Sequence, residues 1–185
     1  MGRYLLIALA ALLAAPATSN AQSDADVIAK ATVAAPQRLA EQAGVVRWDA
    51  NGNRVVVRES QNGLVCWDRS DVPGTADFAV QCSAEGNLPR FEQNRQFALE
   101  AGDDADARRA MMAEAEANGT RVLAEFGTVW YSVSGRDQAS ANAHITIAVP
   151  NATADSLGLP AERRADMVWI MEAGTTAAHL MVPGR

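Results

Sequence analysis

Two Asn-Gly dipeptides, Asn51-Gly52 and Asn62-Gly63, lie among short runs rich in valine, and they constrain this chain more than any other feature. Such a pair reverses the chain because both residues tolerate positive φ, and between β-branched runs it is a hairpin signal. Residues 43–49 (AGVVRWD), 54–60 (RVVVRES) and 64–68 (LVCWD) are the strand-like pieces around the two turns. The spacing predicts a three-strand antiparallel meander. In its middle piece Arg54, Val56 and Arg58 alternate with Val55, Val57 and Glu59, so neither side is cleanly polar.

The third piece carries Cys66, and Cys82 is the other of the 2 cysteines. Their chemistry depends on the compartment. The N-terminus reads MGRYLLIALAALLAAPATSNA: one charge at Arg3, an apolar run from Tyr4 to Ala15, Pro16, then small residues with Ser19 and Ala21 at a cleavage-site spacing. That order is a secretory signal peptide over residues 1–21, which places Gln22 first in the exported chain. The run is too short for a span, which needs roughly 20 apolar residues. The expected localisation is therefore periplasmic or secreted, with no membrane span. In an oxidising compartment paired cysteines become disulfides. No C-x-x-C motif occurs, and neither histidine lies near the cysteines in sequence, so a Cys66–Cys82 staple is expected in place of redox or zinc chemistry. Closing a loop of this length contributes about 3 kcal/mol in the chain-entropy picture.

Removing Arg3 from the 16 basic residues leaves 15 against 22 acidic ones. An acidic chain of this kind lacks the clustered cations that hold phosphate backbones, so no nucleic-acid partner is expected. Lys30 is the one lysine and the other basic residues are arginines, which reads as compositional bias.

Residues 22–42 read as a partly ordered lead-in with a short helix over 36–42, and residues 43–185 as one domain. After Cys66 an Asp-, Pro- and Gly-rich loop leads to Cys82. Residues 86–102 then carry helix punctuation, with Asn87 as N-cap, Pro89 in the first turn and Gly102 past the end. Leu88, Phe91, Ala98 and Leu99 share one face of that helix, while Phe97 points away. A second helix fits 103–119, with acidic residues in its first turn. Strands follow at 127–135, 143–150, 166–174 and 177–184, with one helical turn in the loop before the third of these. Strands, then helices, then strands is the order of an α+β fold. The expectation is an antiparallel sheet of about six to seven strands, two helices packed on it, and one disulfide.

Taken in order, these pieces resemble an uncharacterised family of exported bacterial proteins. The resemblance rests on Asn62-Gly63-Leu64-Val65-Cys66, on Cys82, on the strand from Gly127 to Tyr131 and on the polar loop Ser140 to Asn142. It rests finally on His179-Leu180-Met181-Val182-Pro183. Leu64 replaces a usual tryptophan, and Ala178 replaces a proline that often precedes the histidine. The resemblance implies an exported, disulfide-containing compact domain and carries no established activity.

Candidate chemistry starts from His144 and His179, both on expected strands. Were those strands paired, the rings would share a sheet face, and Asp68, Asp166 or Glu172 would complete a metal or general-base site. The histidines lack H-x-H or H-x-x-x-H spacing, so no metal site is expected and each reads first as an isolated strand histidine. His179, beside Leu180 and Met181, is the better single candidate. A serine nucleophile in G-x-S-x-G is absent, as are phosphate-binding glycine loops, and no cofactor is expected. Trp48, Trp67, Trp130, Tyr131 and Trp169 all fall on expected strands, which marks a packing face first and a ligand face second. Trp130, Tyr131 and His179 are the ligand-binding candidates. The leading reading is a non-enzymatic binding or interaction module. The alternative is a small hydrolase or metal-dependent enzyme centred on His179.

Overall fold

The computed structural model describes residues 22–182. Residues 1–21, expected from the sequence to be a signal peptide, and Pro183 of the C-terminal motif lie outside that range. Among the described residues eight strands form one sheet. They are β1 (Gly44–Trp48), β2 (Arg54–Arg58), β3 (Leu64–Asp68), β4 (Phe78–Ala84), β5 (Val129–Gly135), β6 (Asn142–Ala148), β7 (Trp169–Met171) and β8 (His179–Met181). Their spatial order is β2-β1-β3-β4-β5-β6-β8-β7. Five α-helices surround it: α1 (Asp24–Ala31), α2 (Gln37–Ala40), α3 (Leu88–Ala101), α4 (Ala105–Ala117) and α5 (Ala154–Leu157). The fold is α+β, as the order of elements implied, with one more strand than the upper expectation; α2 and α5 are the short helix and the helical turn expected, and α1 is the added helix.

The N-terminal meander is corrected. β1 and β2 do form an antiparallel hairpin, but β1 also pairs with β3, in parallel, through Val45↔Cys66 and Val46↔Trp67. The chain leaves β2 at the sheet edge and crosses β1 to reach β3. Burial explains the choice. Gly44, Val45 and Val46 are covered on both faces and Leu64 to Trp67 are all buried, so these two pieces belong inside the sheet. The arginine-bearing β2 makes a charged edge. Arg58 fixes it there, donating from Nε to the Ala43 carbonyl at 2.7 Å and from its terminal nitrogen to the Ala40 carbonyl at 2.6 Å. The Asn62-Gly63 turn is therefore a crossover turn. Gly63 has φ 76°, and Asn62 ties the turn to the helix layer by donating to the Leu39 carbonyl at 3.0 Å.

β4 was not expected, and it lies near the middle of the sheet. Phe78, Val80 and Cys82 alternate on one side with Ala79, Gln81 and Ser83 on the other. Cys82 stands directly opposite Cys66 in the antiparallel β3–β4 pair, and the two are disulfide-bonded with Cα atoms 4.0 Å apart. The staple is observed, but it joins two neighbouring strands.

Two helical layers cover the two faces of this half-sheet. The lead-in, expected to be partly ordered, is helical over most of its length. Ser23 caps α1 by accepting the Asp26 amide, and Val27, Ala31 and Ala34 bury against Val45, Cys66, Val80, Cys82 and Phe78. On the opposite face Leu88 and Phe91 of α3 pack on Val46, Val65 and Trp67, with Trp48 and Trp130 at the margin. Phe91 lies 4.7 Å from the Trp67 ring and 5.0 Å from the Trp48 ring, between centroids. The rings are tilted to one another, by 50° for Trp48 and 44° for Trp67, and aromatic clusters of this kind bury large apolar areas. The far half of the sheet has its own smaller core of Val149, Ala152, Ile170 and Ala178, with Leu157 of α5 against it.

Asn87, expected to cap α3, makes no side-chain bond to the helix. It is fully buried instead. Its amide nitrogen donates to Ser83 Oγ at 2.8 Å and to Thr128 Oγ1 at 2.9 Å, and its oxygen accepts the Glu125 amide at 2.8 Å. This side chain binds β4, the start of α3 and the segment before β5 into one unit.

Candidate functional site

The tryptophan-bearing face of the sheet is only partly filled by α3. Where β4, β5, β6 and β8 pass under the α3–α4 pair, a cleft of about 460 Å³ opens. Gln81, Trp130, Thr146 and His179 lie on its sheet side, and Phe91 and Met112 reach it from the helices. The ends of the cleft are held by polar ties. Glu116 of α4 accepts the Thr176 amide at 2.7 Å, which fastens the helix to the β7–β8 loop. Gln93 of α3 donates to the Thr120 carbonyl at 2.8 Å and accepts the Val122 amide at 3.0 Å, so the irregular chain after α4 is fixed as a wall.

Two of the expected site residues meet here. Trp130, half-buried, stands with its ring 6.2 Å from that of the fully buried Trp67, edge to face. His179 Nδ1 lies 2.8 Å from the Ala177 carbonyl. A carbonyl only accepts, so Nδ1 carries a proton, and in the neutral ring Nε2 is the acceptor. The third ligand-binding candidate is misplaced: Tyr131 points to the opposite face and packs on the disulfide core. Adjacent strand residues alternate between faces, so Trp130 and Tyr131 do not serve one site.

The histidines are not brought together. β6 and β8 do pair, and the register puts His144 and His179 on the same face, but His179 stands opposite Ala148, four residues along from His144. That separation is about 13 Å along a strand. His144 lines a second hollow of about 610 Å³ with Arg163, Arg164, Trp169 and Met181. Asp68 belongs to neither cavity. It shares the disulfide face with Lys30, which it pairs at 2.5 Å, and it accepts from Ser70 Oγ at 2.7 Å. Burial raises its carboxyl pKa, but the Lys30 ammonium and the Ser70 bonds outweigh that and hold it below the usual value. Asp166 pairs with Arg164 at 2.9 Å. Only Glu172 joins His179 at the cleft. Among the described residues no three of His, Cys, Asp and Glu gather as metal ligands.

Sequence reasoning missed the arginines. Arg69, Arg90, Arg95, Arg108, Arg109 and Arg121 all line the cleft. They come from the β3–β4 loop, from α3, from α4 and from the wall. Arg95 lies on the buried stripe of α3, one turn beyond Phe91, and forms a two-pronged pair with Asp71 at 2.9 and 2.6 Å. Arg90, also buried, donates to the Val122 carbonyl and to Thr176 Oγ1. Arg121 donates to Gln93 and Asn94 and lies over the Phe97 ring at 5.5 Å. Burial, reinforced by neighbouring Arg90, pushes the Arg121 pKa down to about 10 despite Glu116 and Glu172 nearby. The signal was present in α3, whose apolar stripe Leu88–Phe91–Ala98 includes Arg95 at helical spacing.

No family model matches the chain, and neither a curated protein nor a solved structure does.

Proposed function

We propose that this is an exported binding module, periplasmic or secreted after loss of residues 1–21, that holds a small ligand in the cleft between the sheet and α3–α4. The observation that carries this reading is the cleft itself. It combines apolar walls, Trp130 from the sheet and Phe91 from α3, with converging polar side chains, the usual composition of a ligand site. His179, the first residue of the strand motif that carries part of the resemblance to exported bacterial proteins, lines the same cleft.

The surroundings of His179 favour binding over hydrolysis. A hydrolytic histidine works between a nucleophile and an orienting carboxylate. Here Nδ1 is engaged by the Ala177 carbonyl, and no serine lines the cleft among the described residues. An Nε2 acceptor facing a cavity serves a ligand donor equally well.

A thermal-shift screen against small metabolites, followed by mass analysis of each hit after long incubation, separates the two classes. A binder should raise the melting temperature and be recovered unchanged. Consumption of the hit by wild type but not by His179→Ala would make the protein an enzyme.

A further inference from the structure

The charges around the cleft do not balance, and the imbalance has an address. Four carboxylates face its six arginines. Asp71 pairs Arg95 and Asp106 pairs Arg109. Glu116 and Glu172 act on Arg90 and Arg121. Arg69 and Arg108 are left over. Among the described residues no side-chain hydrogen bond or ion pair reaches Arg69, and its buried Nε has no partner. Arg108 has only the Pro73 carbonyl, at 3.2 Å. The buried Nε of Arg95 is unpartnered as well.

Two guanidiniums that share a cleft without a counter-charge repel each other and cost free energy as long as the cleft is empty of anions. Burial and Arg108 both depress the pKa of Arg69. The turn beside Arg108 leaves room for its head: Gly74 has φ 73°, and a Cβ there would stand 3.2 Å from the Arg108 guanidinium. In a chain of net charge −6, collecting six of the 16 basic residues at one hollow is not a generic surface effect. Arginine forks match the paired oxygens of carboxylate and phosphate.

We infer that the ligand of this cleft is a small oxyanion bearing two negative charges, a phosphate monoester or a dicarboxylate, gripped by Arg69 and Arg108. This rests on the cleft being the binding site, and it names the chemistry of what binds. The oxyanion neutralises the two unpaired guanidiniums, and the apolar part of the ligand lies toward Trp130 and Phe91. The acidic exterior discourages long polyanions, so a small molecule suits the site better than a nucleic acid.

Calorimetric titration of the purified protein at low salt, with inorganic phosphate, phenyl phosphate, succinate and neutral benzyl alcohol, tests this in wild type, Arg69→Met, Arg108→Gln and Arg164→Gln. Arg164 stands at the second hollow and is the control. At least one oxyanion should bind, more weakly as salt is added. Its affinity should fall about tenfold or more in Arg69→Met and Arg108→Gln and stay unchanged in Arg164→Gln. The phosphate and succinate titrations decide between the two sources of charge. Without ligand, Arg69→Met should melt above wild type, because it removes a cation that nothing balances. A lower melting temperature would assign Arg69 to folding and overturn its role. Oxyanion binding that survives both arginine substitutions, or no oxyanion binding to folded wild type, overturns the inference. In the latter case a shift of the Trp130 indole resonance by benzyl alcohol keeps the cleft as a site for neutral ligands. No shift from any probe removes both readings.

Discussion

Asn87 donates twice and accepts once with no exposure to water, so every group it buries is met within the protein. Replacing it by leucine leaves Ser83 Oγ, Thr128 Oγ1 and the Glu125 amide without that partner, and each such orphan costs about 1–3 kcal/mol. Asn87→Leu should therefore lower stability by at least about 2 kcal/mol in urea unfolding, and a wild-type midpoint would show the network to be dispensable. Asp68 makes a pH-dependent contribution. Its folded pKa is depressed, so its stabilisation is fully present above the unfolded value of about 3.9 and is lost as pH falls through the folded one. Asp68→Asn should be less stable than wild type near neutral pH and lose less stability between pH 5 and 2. Parallel melting curves across that range would contradict the Lys30–Asp68 assignment. At this scale the sequence was a partial guide. Trp130 and His179 could be picked out by type, whereas Arg69 and Arg108 could not, because nothing local distinguishes an arginine facing a cleft from one facing water.

Among elements, the strands with β-branched or aromatic residues were legible, and β1, β2, β3, β5 and β6 stand within two residues of their expected bounds. Pairing was not legible. Turn chemistry fixes where the chain reverses, but burial on both faces decides which strands become neighbours, and that placed β1 between β2 and β3. β4 went unseen because its second face is Ala79, Gln81 and Ser83, which match no simple polar or apolar pattern. In the folded chain Gln81 donates to Ser132 Oγ at 2.9 Å, and Ser83 donates to the Val129 carbonyl at 3.0 Å. Gly52 and Gly63 hold φ of 81° and 76°, so valine at either should cost about 1–2 kcal/mol in thermal or chemical unfolding. Wild-type melting of Gly63→Val would mean that the crossover turn relaxes freely. The disulfide joins the neighbouring strands β3 and β4. It lies beneath α1 and the turn that follows it, in one core with Ala31 and Ala34. Replacing both cysteines by alanine should cost about 2–4 kcal/mol, and hydrogen exchange should rise first in α1 and in the β3–β4 pair. Earlier loosening of α3 than of α1 would contradict that geometry.

The whole molecule is a continuous sheet with different covers on its two halves. Near β1–β4 both faces are sealed, by α1 and α2 on one side and by α3 on the other. Beyond β4 the helices no longer fill the tryptophan face, and the cleft is what remains between the α3–α4 pair and the sheet. No helix among the described residues is long and apolar enough to cross a membrane. Two hollows compete as the ligand site, and each has its own tryptophan, Trp130 in the arginine-lined cleft and Trp169 in the hollow beside His144. Their indole N–H resonances report on the two places independently. A nitrogen–proton correlation spectrum of the labelled protein, recorded during titration with phenyl phosphate, should move the Trp130 indole and the Gln81 side-chain amide and leave Trp169 in place. Movement of Trp169 with Trp130 unchanged would put the site in the wrong hollow, and no movement of either would leave the cleft without a ligand.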